Sequence, residues 1–267
     1  MVEKHQFINV NDVSFAYSHN KKIFEKIHFS IEKNETVLLL GVSGAGKSTL
    51  LKLLIGLLSA SSGEISINNI PIKEISLSAL SYHITVSLQN PDNHIFCTNV
   101  YDEIFYGVKN LGLPEKNVQK VIQLFGLENI TKKHPYDLHS TQRKLLSLAS
   151  ALAMHSPFFI FDEPTSGLGK KEKTIVGNAL QYLQHQQNGY ILITHDVAFG
   201  FAHCERIMIL ENGKFIVDCL LQEFITLKES FAILKQTGLQ MPVAPRISHF
   251  LEHDVIAKSV EEFKIKY

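Results

Sequence analysis

The sequence has little cysteine, no net charge and no long apolar run, and each shortage narrows what the chain can be. Its three cysteines, Cys97, Cys204 and Cys219, are odd in number, far apart and without metal-ligand spacing. That pattern argues against a disulfide framework or a zinc cluster and fits reduced thiols filling the core of a cytosolic protein. Twenty-six basic and twenty-six acidic residues cancel to a formal charge of +0, so no global field draws the chain to nucleic acid or to an anionic membrane surface. No basic stripe or long coiled-coil insertion offers a substitute. No stretch approaches the roughly 18 uninterrupted apolar residues of a spanning helix, and the opening residues, MVEKHQFINV, lack the apolar core of a leader peptide. The chain is expected to be soluble by itself. Internal repeats and low-complexity tracts are also missing.

What is present suits an α/β domain: 267 residues with 45% hydrophobic content can bury a sizeable core and leave a small appendage. Phe7 to Tyr17 and Ile27 to Ile31 alternate apolar and polar residues, the pattern of strands in a half-exposed antiparallel sheet. Thr36 to Leu40 is a continuous apolar run, expected as a strand buried on both faces, and it leads through a glycine-rich turn into a helix over Lys47 to Leu57. From about Gln89 to Met154 the pattern is helical, with helices expected at Val100–Asn110, Glu115–Phe125 and Gln142–Met154. Strand signals return at Phe158–Phe161 and Tyr190–Thr194, separated by a helical stretch, which is βαβ alternation about a parallel sheet. Arg206–Leu210, the turn Asn212-Gly213 and Lys214–Val217 read as a closing hairpin, and strands are expected to stop at Asp218. Thereafter Thr226 and Glu229 form a capping-box pattern before an apolar-periodic helix that Gly238 stops, and Ser259 with Glu262 repeats the pattern ahead of Phe263. The expected layout is a core α/β domain at 1–218, its helical subdomain at about 89–155, and a C-terminal helical extension at 219–267.

The chemistry is concentrated in three places. Gly41-Val42-Ser43-Gly44-Ala45-Gly46-Lys47-Ser48 is a full phosphate-binding loop set between a buried strand and a helix, the context that motif requires. Its backbone NH groups and helix terminus suit phosphate, Lys47 suits the outer phosphates, and the Ser48 hydroxyl suits magnesium, with Thr49 beside it. The buried run Phe158–Phe161 ends in Asp162-Glu163-Pro164, which packing alone does not explain. Asp162 suits magnesium through water, and Glu163 suits a general base that polarises the attacking water. Third comes His195, at a strand end in Ile-Thr-His-Asp; alone, such a histidine is more often structural.

Taken in order, the phosphate loop, Gln89, a segment ending at Gln142, Asp162-Glu163-Pro164-Thr165-Ser166-Gly167-Leu168 and His195 resemble the ABC ATPases over about the first 220 residues. The resemblance implies a P-loop NTPase core with a mainly parallel sheet, an antiparallel β subdomain and a helical subdomain. It implies ATP and Mg2+ as cofactors, Tyr17 stacking on adenine, Gln89 touching magnesium and the γ-phosphate, and His195 contacting the γ-phosphate. Leu88-Gln89-Asn90-Pro91-Asp92-Asn93-His94-Ile95-Phe96 and Leu234-Lys235-Gln236-Thr237-Gly238-Leu239-Gln240-Met241-Pro242 are similar to the energy-coupling-factor type, which serves vitamin and metal uptake. That likeness implies a peripheral motor on the cytoplasmic face of the membrane, paired with transmembrane subunits and a second ABC ATPase. Asp92 to Tyr106, with Ile95, Phe96, Ile104 and Phe105, is the expected groove wall for a membrane-subunit helix, although apolar residues at that spacing are more often core.

Two departures stand out. The family's signature reads Leu-Ser-Gly-Gly-Gln, and the matching segment here is Leu138-His139-Ser140-Thr141-Gln142. Side chains at the glycine positions hinder the close approach of the partner's nucleotide. Gly169 stands where the family has an aspartate that reaches across the dimer. Both departures concern the partner's site, which leads to an expected heterodimer in which the site of Lys47 and Glu163 hydrolyses and the reciprocal one is slow. A homodimer with tolerated drift, an ATP-gated regulatory subunit with little hydrolysis and a soluble ABC ATPase outside transport remain as alternatives.

Overall fold

The computed structural model describes residues 6–18, 22–93, 95–250, 257–260 and 262; His94 and Phe263, which belong to two of the segments above, lie outside them. The chain divides into two compact units, residues 1–75 with 191–267 and residues 76–190.

The first unit opens with β1 (Gln6–Ala16) and β2 (Lys22–Glu32), paired antiparallel, so the second strand is twice as long as its alternating core suggested. Inward residues Ile8, Val10, Val13, Phe24 and Ile31 are essentially inaccessible. Next come β3 (Thr36–Gly41), buried along its whole length, and α1 (Lys47–Leu54). The helix stops one turn short of the expected Leu57 because Gly56 takes φ 70°. Two strands that the pattern reading missed, β4 (Ser62–Ile67) and β5 (Ile70–Pro71), complete a four-stranded sheet in the order β2-β1-β4-β5. β4 escaped notice because its first half is exposed and polar.

The second unit holds α2 (Leu77–Leu80), β6 (Ile84–Ser87), α3 (Val100–Asn110), α4 (Lys116–Phe125), α5 (Ser140–Ala153), β7 (Phe158–Asp162) and α6 (Lys170–His185). Asn99 caps α3 by accepting the Asp102 backbone N–H at 2.8 Å. The three helices expected between Gln89 and Met154 are found, α5 beginning two residues early. β6, which was not expected, runs parallel to β7 with Ile84 opposite Phe158.

The chain leaves through β8 (Gly189–Ile193) and re-enters the first unit, where α7 (Val197–His203), β9 (Arg206–Glu211) and β10 (Lys214–Leu220) follow. There the strand order is β10-β9-β3-β8, with β3 parallel to β9 and β10 antiparallel to it. The expected hairpin forms about Asn212-Gly213, but β10 continues past Asp218 to Leu220. Arg206 holds this corner, its guanidinium donating to both Asp218 carboxylate oxygens at 2.6 and 2.8 Å, to Glu35 at 3.0 Å and to the Ser30 carbonyl at 2.8 Å. Those carboxylates raise the Arg206 pKa despite its burial.

α8 (Leu221–Thr226), α9 (Ser230–Gln236) and α10 (Val243–Phe250) make up the extension. The expected capping box at Thr226 and Glu229 is not made: Thr226 is the last residue of α8, and its hydroxyl donates to the Glu223 carbonyl at 2.7 Å. The stop at Gly238 is made, with φ 72° and the Leu239 N–H returning to the Leu234 carbonyl. Half of the expected pattern at Ser259 and Glu262 is present: Ser259 Oγ accepts from the Glu262 N–H, while the Glu262 carboxylate accepts from the N–H of Lys258. All three cysteines are free, but only Cys204 is fully buried, so core filling describes that one alone. No helix among the described residues is long and apolar enough to cross a membrane.

Candidate functional site

In the first unit the phosphate loop leaves β3 at Gly41. There β9 approaches so closely that a Cβ would lie 2.3 Å from the Leu210 carbonyl oxygen, which only glycine permits. The loop closes with the Ala45 N–H on the Val42 carbonyl, and Gly46, at φ 111°, starts α1. A Cβ on Gly46 would meet the Phe24 ring at 2.9 Å, so strand β2 shapes the turn. Val42, Gly46 and Lys47 are half-buried, Ala45 and Thr49 buried, and Ser43, Gly44 and Ser48 exposed. The Lys47 ammonium donates to the carbonyls of Gly41 at 2.7 Å and Val42 at 3.0 Å, which poises it over the loop.

Tyr17 follows directly on β1. Its ring is 54% exposed, braced edge-on by Phe15, and its hydroxyl lies 3.1 Å from Thr49 Oγ1. The loop's helix and an exposed aromatic face are thereby brought together. His195 stands exposed in the turn after β8, whose shape is set by Asp196: its backbone N–H donates to Thr194 Oγ1 and its carboxylate caps α7 through the Phe199 N–H.

In the second unit β7 delivers Asp162 and Glu163, both half-buried. Glu163 has φ 50°, a left-handed conformation unusual for a residue with a Cβ and typical of functional turns. Its carbonyl accepts the Ser166 N–H at 3.2 Å, opening the loop that leads to α6. Gly169 begins that helix with no side-chain cap. Gln89 is exposed on the loop after β6, and α5 starts at the segment Leu138–Gln142. His139 is the N-cap there: its Nδ1 accepts the Gln142 backbone N–H at 3.3 Å, while Ser140 and Thr141 form the first helical turn.

Two side chains that the pattern reading passed over organise this unit. The Arg143 guanidinium donates to the Leu138 carbonyl at 2.6 Å and pairs with Asp92 at 3.0 Å. The Lys144 ammonium donates to the Gln89 carbonyl at 2.7 Å, in a residue only 4% exposed. Burial pushes the Lys144 pKa down to about 8, against the upward pull of Asp162 and Glu163. The available signal was a lysine directly before the apolar run that α5 buries. A cavity of about 210 Å³ opens beside it, lined among others by Gln89, Ser140, Thr141, Arg143 and Lys144.

The residues expected to form a groove wall divide between core and surface. Ile95 and Ile104 are buried core, Phe105 is half-buried, and Phe96 is 63% exposed, stacked edge-on against exposed Tyr106 with ring centroids 4.8 Å apart. The turn that presents Phe96 is held by buried Glu103, whose carboxylate accepts the N–H groups of Phe96 and Cys97. Tyr136 joins the surface by donating its hydroxyl to the Ile95 carbonyl at 3.3 Å.

A model of the ABC transporter family matches residues 24–166. The energy-coupling factor transporter ATP-binding protein EcfA of Methanocaldococcus jannaschii is 32% identical over 251 residues, covering 92% of this chain and 88% of that protein. EcfA1 of Mycoplasmoides gallisepticum is 30% identical over 220 residues, covering 81% and 78%. Among solved structures, cbiO1 from Clostridium perfringens, part of the ABC transporter complex cbiONQ, superposes with a TM-score of 0.73 at 28% identity, covering 93% of this chain and 99% of that one. The phosphate loop, the Asp162-Glu163 strand end and these likenesses agree: the chain belongs to the ABC transporter family, as an ATP-binding ATPase subunit resembling the energy-coupling-factor type.

Proposed function

We propose that the chain is the peripheral motor of a membrane transporter on its cytoplasmic face, working in an ATPase heterodimer whose productive site is the one served by Lys47 and Glu163. The observation that carries the asymmetry is the start of α5, where the His139 imidazole occupies the Gln142 N–H and Ser140 and Thr141 fill the glycine positions. A helix terminus capped by its own side chain has fewer free N–H groups for a partner's γ-phosphate. Gly169 removes a second group expected to reach that partner.

The residues for this chain's own nucleotide carry the reaction as follows. Tyr17 stacks on adenine, and the loop Gly41, Val42, Ser43, Gly44, Ala45 and Gly46 encloses the phosphates with backbone N–H groups. Lys47 neutralises the outer phosphates, and Thr49 lies near the innermost one. The Ser48 hydroxyl, the Gln89 side-chain oxygen and the Asp162 carboxylate are hard oxygen donors, the set that suits Mg2+. When bound, that ion offsets charge building on the β- and γ-oxygens. Glu163 takes the proton of the attacking water as general base, Gln89 orients the γ-phosphate end, and His195 contacts the γ-phosphate. Phe96, Tyr106 and Tyr136 form the docking surface for a membrane-subunit helix, seated as a helix in a groove.

The test is ATP turnover of the purified chain alone and after co-expression with its neighbouring ATPase and membrane chains. Turnover only in the assembly is the expected result. Strong turnover by the chain alone contradicts the defect assigned to His139, Ser140 and Thr141, and an assembly that binds ATP without turnover makes the chain a regulatory subunit.

A further inference from the structure

A lysine as buried as Lys144 is costly to keep charged, and an apolar side chain of its length would fill the same space. Its ammonium donates to the Gln89 carbonyl at 2.7 Å, and the charges acting on it are those of Asp162 and Glu163. One side chain on α5 thus joins the loop that carries Gln89 to the strand end that carries the two carboxylates. Its neighbour Arg143 holds the same loop three residues further on, at Asp92, and the segment before α5, at Leu138. With the charges of Asp162 and Glu163 already acting on it, the ammonium does not call for a bound anion in the adjoining cavity.

We propose that Lys144 is a positioning residue for ATP hydrolysis: it fixes the Gln89 peptide relative to Asp162 and Glu163, so that the side-chain oxygen of Gln89 and the Glu163 carboxylate share one alignment. The inference rests on the reading of Gln89 and Glu163 given above. Arg143 supports the far end of the same loop, but its partner Asp92 is half exposed, so this second hold is the weaker one.

The experiment uses the full assembly and three variants. Lys144→Met keeps the length of the side chain and removes the ammonium, and Lys144→Arg keeps a donor and the charge. Gln89→Ala controls for the underlying reading. The expected result is a kcat about 10- to 100-fold lower for Lys144→Met, the scale of a misaligned catalytic group, with KM for ATP within about threefold, since Tyr17 and the phosphate loop are untouched. Lys144→Arg recovers most of kcat. The urea midpoint of Lys144→Met stays equal to the parent's or rises, because an apolar replacement of a buried charge is often neutral or stabilising. An unchanged kcat in Lys144→Met while Gln89→Ala is impaired overturns this inference alone. A fall in midpoint that accounts for the activity loss overturns it in favour of a packing role. Full activity of Gln89→Ala overturns the reading on which it rests.

Discussion

Replacing Gly46 by alanine tests whether the phosphate loop is shaped by the strand beneath it. Gly46 has φ 111°, a conformation that costs a residue with a Cβ about 1–3 kcal/mol. The added methyl would meet Phe24 Cζ at 2.9 Å, Phe24 Cε1 at 3.0 Å and Ile23 Cγ2 at 3.2 Å. Phe24 is 1% exposed, so it has no open space to move into, and overpacking of that kind costs a further 1–3 kcal/mol or so. The sum is roughly 2–6 kcal/mol. Gly44 supplies the internal control, because its φ is 81° but nothing lies within 4 Å of a Cβ there; Gly44→Ala carries the conformational cost alone, about 1–2 kcal/mol. Urea unfolding of the full chain without nucleotide measures both. Phe24→Leu on top of Gly46→Ala removes the colliding ring edge, so the double variant is expected to be more stable than the sum of the single losses by about 1 kcal/mol. Equal losses for Gly44→Ala and Gly46→Ala, or strict additivity with Phe24→Leu, would refute the claim that β2 sets the shape of the loop.

Arg206→Met leaves Glu35 and Asp218 facing each other without their shared cation. A loss of about 2–4 kcal/mol in urea unfolding is expected, somewhat below the usual cost of breaking a fully buried pair because both carboxylates retain some solvent. Tyr17→Ala should weaken ATP binding about 5- to 10-fold, the scale of one aromatic stack, whereas Tyr17→Phe keeps the ring, loses only the Thr49 contact and stays within about threefold; titration calorimetry with ATP separates them. Lys144 also imposes a pH dependence on stability. Its folded pKa, about 8, lies below the ordinary 10.5, so between these values the unfolded chain holds more protons and stability rises with pH. Below pH 8 the full penalty of the buried charge applies, and above 10.5 it vanishes. That difference corresponds to roughly 2–3 kcal/mol, so the advantage of Lys144→Met over the parent should shrink between pH 7 and 9.5. An advantage independent of pH would show that Lys144 is not buried as a charge.

Legibility followed the strength of the physical signal. β3, buried along its whole length and apolar from Val37 onward, was readable to within one residue, and so was the loop behind it, because burial on both faces favours an apolar run and phosphate demands glycine. β4 and β5 were not: Ser62, Gly63 and Glu64 are exposed, only Ile65 and Ile67 of β4 are apolar and buried, opposite Val10 and Ile8 of β1, and β5 is two residues long. Thr226 misled because a threonine followed three residues later by glutamate marks a helix start only when the preceding chain is not already helical, and α8 runs up to that residue. Phe96 and Ile95 are adjacent in sequence, yet one is surface and the other core, a division set by Glu103 turning the backbone at Phe96 and Cys97. Lys144 went unnoticed since a basic residue near a helix start is ordinarily solvated, and only the fold shows it buried against Gln89.

The most direct test of the asymmetric motor is steady-state ATP turnover of the complete assembly carrying Glu163→Gln in this chain, beside an assembly in which Ser140 and Thr141 are both replaced by glycine. The account predicts that Glu163→Gln removes nearly all turnover while the two glycines leave it close to the parent's. Full turnover in the Glu163→Gln assembly, or a large gain on restoring the glycines, would contradict it.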